Sequence, residues 1–227
     1  MLGTITESAD RFPEIALIRK PDHRRNEKQI GEDCGGRCND GPEKGSPLTH
    51  ASEIVVQSSV IMQRIHIITT GGTIEKIYSE QKGSVENLQS KIETYLGRLR
   101  LPDTHLETRR LMNKDSLEMT DADRAQVLEA VRERLDAPIV ITHGTDTMVE
   151  TGLYLKAALG DLKYPIVLTG AMTPLGFESS DGLQNLTESF FAARVLAPGI
   201  YVVMHNQAFP VDKVRKDKDQ ARFTRID

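Results

Sequence analysis

Residues 138–147 read PIVITHGTDT. Ile139, Val140 and Ile141 follow one another without a polar break, and Thr142, His143 and Gly144 end the run. A strand with one wet face alternates apolar and polar residues, whereas a short unbroken run reads as a strand buried on both faces, the habit of parallel sheets. Three further segments are short runs of mainly β-branched or apolar residues, the first interrupted by His66: Ile65 to Thr69, Pro165 to Thr169 and Gly199 to Met204. Between them the period lengthens to that of a helix. Thr120 to Leu135 begins at an N-capping Thr120, has acidic residues in its first turn and sets Leu128, Val131 and Leu135 on one face. Behind a capping Asp181, Leu183, Leu186, Phe190 and Ala193 recur at helical spacing. Strand and helix alternate as in βαβ units, which predicts an α/β fold: a three-layer sandwich with a mainly parallel sheet flanked by helices.

The chain upstream of Met62 reads differently. Between Arg19 and Pro47 only Ile30, Cys34 and Cys38 are apolar among 29 residues. Such a segment cannot bury enough surface to offset its ordering entropy, so residues 1–61 are expected to be a disordered or spurious N-terminal extension. Residues 62–227 are expected to be the functional unit. The whole chain has 29 basic and 33 acidic residues, with no basic stripe to neutralise phosphates or an anionic bilayer. Nucleic acid and membrane are therefore not expected partners. No run approaches the roughly 18 apolar residues of a membrane span, and no secretory signal is legible, so a cytoplasmic location is the expectation. Cys34 and Cys38 share one CGGRC stretch without a second pair at zinc-ligand spacing, and no metal site is expected.

Three strand ends carry the chemistry: TTGGT at 69–73, THGTDT at 142–147 and TGAM at 169–172. In open α/β sheets ligands bind beyond the carboxyl ends of strands, near a reversal of strand order, so these turns are expected to share one pocket. Glycine admits close approach of the backbone to a small ligand, and a threonine hydroxyl can act as nucleophile or hydrogen-bond donor. Taken singly, each Gly is equally turn punctuation and each Thr a residue that suits a strand. The first turn lacks the third glycine of a dinucleotide fingerprint and the Gly-Lys-Ser/Thr of a phosphate loop. The residues alone lead to a small-ligand pocket with hydroxyl chemistry.

Thr70-Gly71-Gly72-Thr73-Ile74 and His143-Gly144-Thr145-Asp146-Thr147-Met148 resemble the two signature motifs of the L-asparaginase and glutaminase-asparaginase family. Pro165 to Leu186, reading PIVLTGAMTPLGFESSDGLQNL, is similar to the family's third block. The resemblance implies the Rossmann-like fold of the family's N-terminal domain and places the nucleophile on Thr73, with Tyr78 as its activating partner. It gives Thr145 and Asp146 the roles of the second catalytic threonine and of the aspartate that receives the substrate α-amino group. It puts the third partner, a lysine, at Lys216, where it can shuttle a proton as the histidine of a serine-protease triad does. Asp115-Ser116-Leu117-Glu118-Met119 resembles the segment that contacts the substrate carboxylate, and Gly72 and Ala171 are implied as further substrate contacts. No cofactor is implied.

Read as complete, the sequence stops eleven residues after Lys216 and is expected to lack the smaller C-terminal domain of most relatives, together with the glutamate which that domain lends to a neighbouring subunit. That resembles the short, single-domain asparaginases, and a homodimer or homotetramer is expected to complete the pocket. The activity implied is hydrolysis of L-asparagine, and of L-glutamine as a second substrate, through a covalent acyl-enzyme. Two other roles share these motifs: the ammonia-generating subunit of a tRNA-dependent amidotransferase, and a noncatalytic amino-acid-binding module. Residue types alone do not decide which threonine attacks, because Thr73 with Tyr78 and Thr145 with Lys216 and Asp146 are both adequate pairs.

Overall fold

The computed structural model describes residues 62–87 and 92–226. The upstream segment 1–61, with Cys34 and Cys38, lies outside the described residues. The order of elements is β1 (Gln63–Gly71), the hairpin β2 (Ile77–Ser79) and β3 (Ser84–Glu86), α1 (Ile92–Leu96), β4 (Thr104–Lys114), α2 (Asp121–Arg132), β5 (Ile139–Thr142), α3 (Met148–Ala158), β6 (Pro165–Thr169), α4 (Gly182–Val195), β7 (Gly199–Met204), β8 (Gln207–Pro210), β9 (Val214–Asp217) and β10 (Arg222–Arg225).

Six strands form one sheet in the order β4-β1-β5-β6-β7-β8, parallel throughout except for β8 at the edge. The four strands expected from their apolar runs are β1, β5, β6 and β7, side by side in the middle. Their residues alternate between two cores, as the period of two requires. Ile68, Ile139, Ile141, Ile166, Leu168, Ile200 and Val202 face one side, with Val127, Leu128 and Val131 of α2 and Leu155 of α3. Ile65, Ile67, Val140, Val167 and Val203 face the other, with Leu186, Phe190 and Ala193 of α4 and Ile92 of α1. Burying each such side chain fully is worth about 1.5–3 kcal/mol, so continuous apolar strands are what hold a layer of helices on each face.

Both helix expectations need adjustment at their ends. Thr120 caps α2 through a full capping box with Asp123, but the helix ends at Arg132, and Leu135 beyond it is partly exposed. Leu183 sits in the first turn of α4 and is partly exposed. Asp181 occupies the N-cap position of α4 without capping it, because its carboxylate is engaged elsewhere. Among the described residues no helix is long and apolar enough to cross a membrane.

The chain runs from β1 to β4 on one side of it, then crosses to β5 on the other. The strand order therefore reverses between β1 and β5, and the crevice of a doubly wound sheet opens at their carboxyl ends. TTGGT and THGTDT both stand there.

Candidate functional site

The two turns touch through glycine. A Cβ on Gly72 would lie 2.3 Å from the backbone nitrogen of Gly144, and Gly72 has φ +79°, a conformation that side-chain-bearing residues rarely adopt. A Cβ on Gly170 would meet the His143 carbonyl oxygen at 2.3 Å, which brings the third turn against the second. A Cβ on Gly144 would strike the Ser116 side chain at 2.5 Å. All three glycine-rich turns and the Asp115-Ser116 segment thus converge within contact distance. Thr73 and Thr145 each follow a glycine of the central contact.

Threonine hydroxyls and one buried carboxylate stitch the strand ends together. Thr70 donates to the Thr142 carbonyl at 2.8 Å and Thr169 to that of Val203 at 2.9 Å. The buried Glu75 accepts from the Gly71 amide at 3.1 Å and from the Thr142 hydroxyl at 3.2 Å. Thr147 donates to the Ser116 carbonyl at 2.8 Å. His143 is fully buried, and desolvation, with a minor contribution from Arg124, lowers its pKa to about 4 against the bond to Gly144. The Gly144 carbonyl can only accept, so Nδ1 of the neutral ring carries the hydrogen at 2.7 Å and Nε2 accepts from Thr151 at 2.9 Å.

Lys216 arrives from outside the main sheet. The β9–β10 hairpin is anchored by Val214 and Phe223, both buried in the core below α3. Lys216 lies two residues after Val214 and opposite Phe223, so it shares their face. Its Nζ donates to Thr145 Oγ1 at 2.7 Å and to Asp146 Oδ1 at 2.9 Å. Thr145 is only 4% exposed, whereas the Asp146 carboxylate opens toward solvent. Both precede the first turn of α3, whose free amides and dipole favour negative charge. A hydroxyl, an ammonium and a carboxylate linked in this way can pass a proton to and from a reacting group.

The remaining expected residues are placed as follows. Thr73 opens a short 3-10 turn, Thr73–Glu75, beside the Gly72–Gly144 contact and is partly exposed. Tyr78 is 57% exposed on the β2–β3 hairpin, and none of the hydrogen bonds between described residues joins it to Thr73. The hydroxyl of Thr145 is thus the one already paired with a lysine, while Thr73 is not so paired with Tyr78. Gly72 contributes close approach, since its amide is taken by the Lys114 carbonyl at 2.8 Å. The Gly71 amide is likewise committed to Glu75, which leaves neither available to an oxyanion. Ala171 is fully buried with its methyl in the α4-side core, so any substrate contact there comes from backbone. Ser116 is buried against Gly144. Asp115 accepts from Lys76 Nζ at 2.6 Å and from the Leu117 amide at 3.1 Å. Lys76 comes first among the causes that hold its carboxyl below the ordinary carboxylate range.

Sequence reasoning missed three of the residues that shape the site: Glu75, Lys76 and the true role of Asp181. The Asp181 carboxylate gathers the amides of Met172 and Thr173, Asn185 Nδ2 and His205 Nε2 at 2.8–3.0 Å. Burial raises its pKa, but those donors outweigh burial and leave it lowered. It locks the third turn. A charged residue inside or beside an apolar motif, as at Glu75 and Lys76, is the signal by which the first two could have been found.

Thr145, Lys216 and Asp146 thus stand in hydrogen-bond contact between glycine-rich turns, at the point where the strand order of an open α/β sheet reverses. The chain belongs to the asparaginase family: the Asparaginase, N-terminal family model matches residues 64–224. It is 33% identical over 155 residues to an L-asparaginase from Thermococcus kodakarensis, covering 67% of this chain and 47% of that one. It is 29% identical over 177 residues to a subunit of the glutamyl-tRNA(Gln) amidotransferase of Methanococcus vannielii, covering 73% and 41%. The solved thermostable L-asparaginase of T. kodakarensis superposes with a TM-score of 0.65, covering 72% of this chain and 51% of that one. A probable cytoplasmic L-asparaginase from Campylobacter jejuni, 26% identical, gives 0.58 over 68% and 48%. The chain spans about half the length of the relatives it matches, or less.

Proposed function

We propose that the protein is an amidohydrolase that converts L-asparagine to L-aspartate and ammonia through a threonine nucleophile. The observation that carries this reading is the Lys216 ammonium within 2.9 Å of both Thr145 and Asp146, at the strand-order reversal. Simple binding of an amino acid has no need of a hydroxyl, an ammonium and a carboxylate in relay.

In the first displacement the Thr73 oxygen bonds to the side-chain amide carbon. Its proton passes along the relay, from the Thr145 hydroxyl through Lys216 Nζ to the Asp146 carboxylate, and returns the same way to the departing nitrogen as the C–N bond breaks to release ammonia. In the second, water adds to the aspartyl ester and gives its proton to the relay, which returns it to the Thr73 oxygen as the C–O bond breaks and aspartate is released. Asp146 receives the substrate α-amino group and Ser116 its carboxylate. The Thr145 hydroxyl and backbone amides of the second turn are the donors proposed for the oxyanion, a contribution of about 3–4 kcal/mol where one such donor is lost. Assembly into a homodimer or homotetramer and residence in the cytoplasm belong to the same reading.

A second reading is the ammonia-supplying subunit of an amidotransferase, favoured by the 29% identity to the M. vannielii amidotransferase subunit. Ammonia release from asparagine and glutamine by the full chain separates the two. Hydrolase action gives turnover of asparagine without a partner, lowered about 10²–10⁴-fold by Thr73→Ala, Thr145→Val or Lys216→Met. Turnover of glutamine alone, dependent on a partner and a charged tRNA, supports the second. Asparagine bound without ammonia release, or turnover that survives both threonine variants, ends the proposal.

A further inference from the structure

The turn that carries Thr73 is fastened to the Asp115-Ser116 segment on both sides of the threonine. Before it, the Gly72 amide donates to the Lys114 carbonyl at 2.8 Å. After it, Lys76 Nζ donates to Asp115 Oδ2 at 2.6 Å, with both side chains largely withdrawn from solvent. Asp115 is itself held by the Leu117 amide, so the pull of Lys76 is delivered to the backbone flanking Ser116. Ser116 in turn abuts Gly144 and receives Thr147 on its carbonyl, and it has no freedom to move toward the second turn. The distance from Thr73 to Ser116 is therefore set by Gly72 at one end and by Lys76 at the other. In the proposed reaction Thr73 meets the amide end of the substrate and Ser116 its carboxylate end. That distance is the length of substrate the site accepts.

We propose that Lys76, acting through Asp115, is a positioning residue that sets the preference for asparagine over glutamine. This rests on the amidohydrolase reading above. The two substrates differ by one methylene, which binding sites distinguish by about 10–200-fold. A clasp that fixes the span by one ion pair is of the right strength to govern such a margin, because loosening it lets the turn yield by the length of a methylene. The backbone tether at Gly72 keeps the site assembled when the clasp opens.

The test is the ratio of kcat/KM for L-asparagine to that for L-glutamine in the full chain and in Lys76→Met, Asp115→Asn and the double variant. Each single change is expected to lower the ratio about tenfold. The double variant is expected to be no worse than either single change, since both open the same clasp. The charge-reversed pair K76D/D115K is expected to recover part of the ratio. A purely structural role lowers both substrates equally and leaves the ratio where it was, which overturns the proposal, as does an additive double variant. Should the wild-type chain bind amino acids without turnover, the amidohydrolase reading fails on its own. The clasp is then read from calorimetric binding constants for L-aspartate against L-glutamate, with the same ratio expected to fall. A chain that binds neither overturns it.

Discussion

Glu75 sits directly behind the proposed nucleophile and accepts two hydrogen bonds with one carboxylate oxygen, from the Gly71 amide and from the Thr142 hydroxyl. It joins the carboxyl ends of β1 and β5, the two strands between which the site lies. Glu75→Gln retains an acceptor oxygen and is expected to keep most of the stability and turnover. Glu75→Ala leaves two buried donors without it, a loss of about 1–3 kcal/mol, and is expected to lower turnover as the Thr73 turn loosens. Urea unfolding beside ammonia release checks both, and equal behaviour of the two variants would refute this role. Single residues were unevenly legible in the sequence. Thr145, Asp146 and Lys216 come together as their motifs imply, because a two-residue strand period carries Lys216 onto the face of Val214. No hydrogen bond between described residues joins Tyr78 to Thr73, and Asp181 does not cap α4. A side chain with several possible backbone donors in reach is chosen by tertiary approach, and the amides of Met172 and Thr173 become neighbours of Asp181 only once β6 has turned back.

The strands that sequence reasoning found are those with both faces dry. Central strands β5, β6 and β7 read as nearly unbroken apolar runs, and β1 as one interrupted by His66, because helices cover both sides of them. Strand β4, Thr104–Lys114, was missed: it is an edge strand of mixed polarity, and its pairing with β1 is a long-range fact that no local pattern carries. The β9–β10 hairpin was read only as a charged stretch holding a lysine, since two inward residues, Val214 and Phe223, are too few to make a period. Between elements, the close approach of turns is where a single atom matters most. Gly72→Ala forces a Cβ into the Gly144 backbone at a left-handed φ, and overpacking and strain together are expected to cost about 3 kcal/mol or more. Gly160→Ala, with nothing within 4 Å of its Cβ, is the control and is expected to be silent. Denaturant midpoints of the two variants, with asparagine turnover, decide the point. A Gly72→Ala protein as stable and active as its Gly160→Ala counterpart would show that the two signature turns are not in contact.

At the scale of the whole domain, the seam between the β5 turn and α3 is sensitive to acid. His143 joins the β5 turn to α3 through Gly144 and Thr151, and it is held neutral with a pKa of about 4 instead of 6.5. Between those values the unfolded chain binds a proton that the folded one does not, so folding stability falls as pH falls. The contribution is complete above about pH 6.5 and is lost on the way down to about pH 4; the gap corresponds to about 3 kcal/mol. Asp123, which closes the capping box of α2, has its carboxyl lowered to about 2, chiefly by Lys114 and then by Thr120. Its contribution is present above the usual value of 3.8 and disappears only as pH drops through about 2. Loss of folding stability in acid is therefore expected in two stages, the one from His143 first and the one from Asp123 second. Urea unfolding at a series of pH values from 7 to 4 measures the first stage directly. His143→Gln keeps a donor and an acceptor but no titrating ring, so its stability is expected to be lower at pH 7 and nearly flat over that interval, meeting the wild-type curve at the acid end. A wild-type curve that is itself flat from pH 6.5 to 4 would mean that the imidazole is not held neutral at the seam, and that burial of His143 adds no pH dependence to the second signature turn.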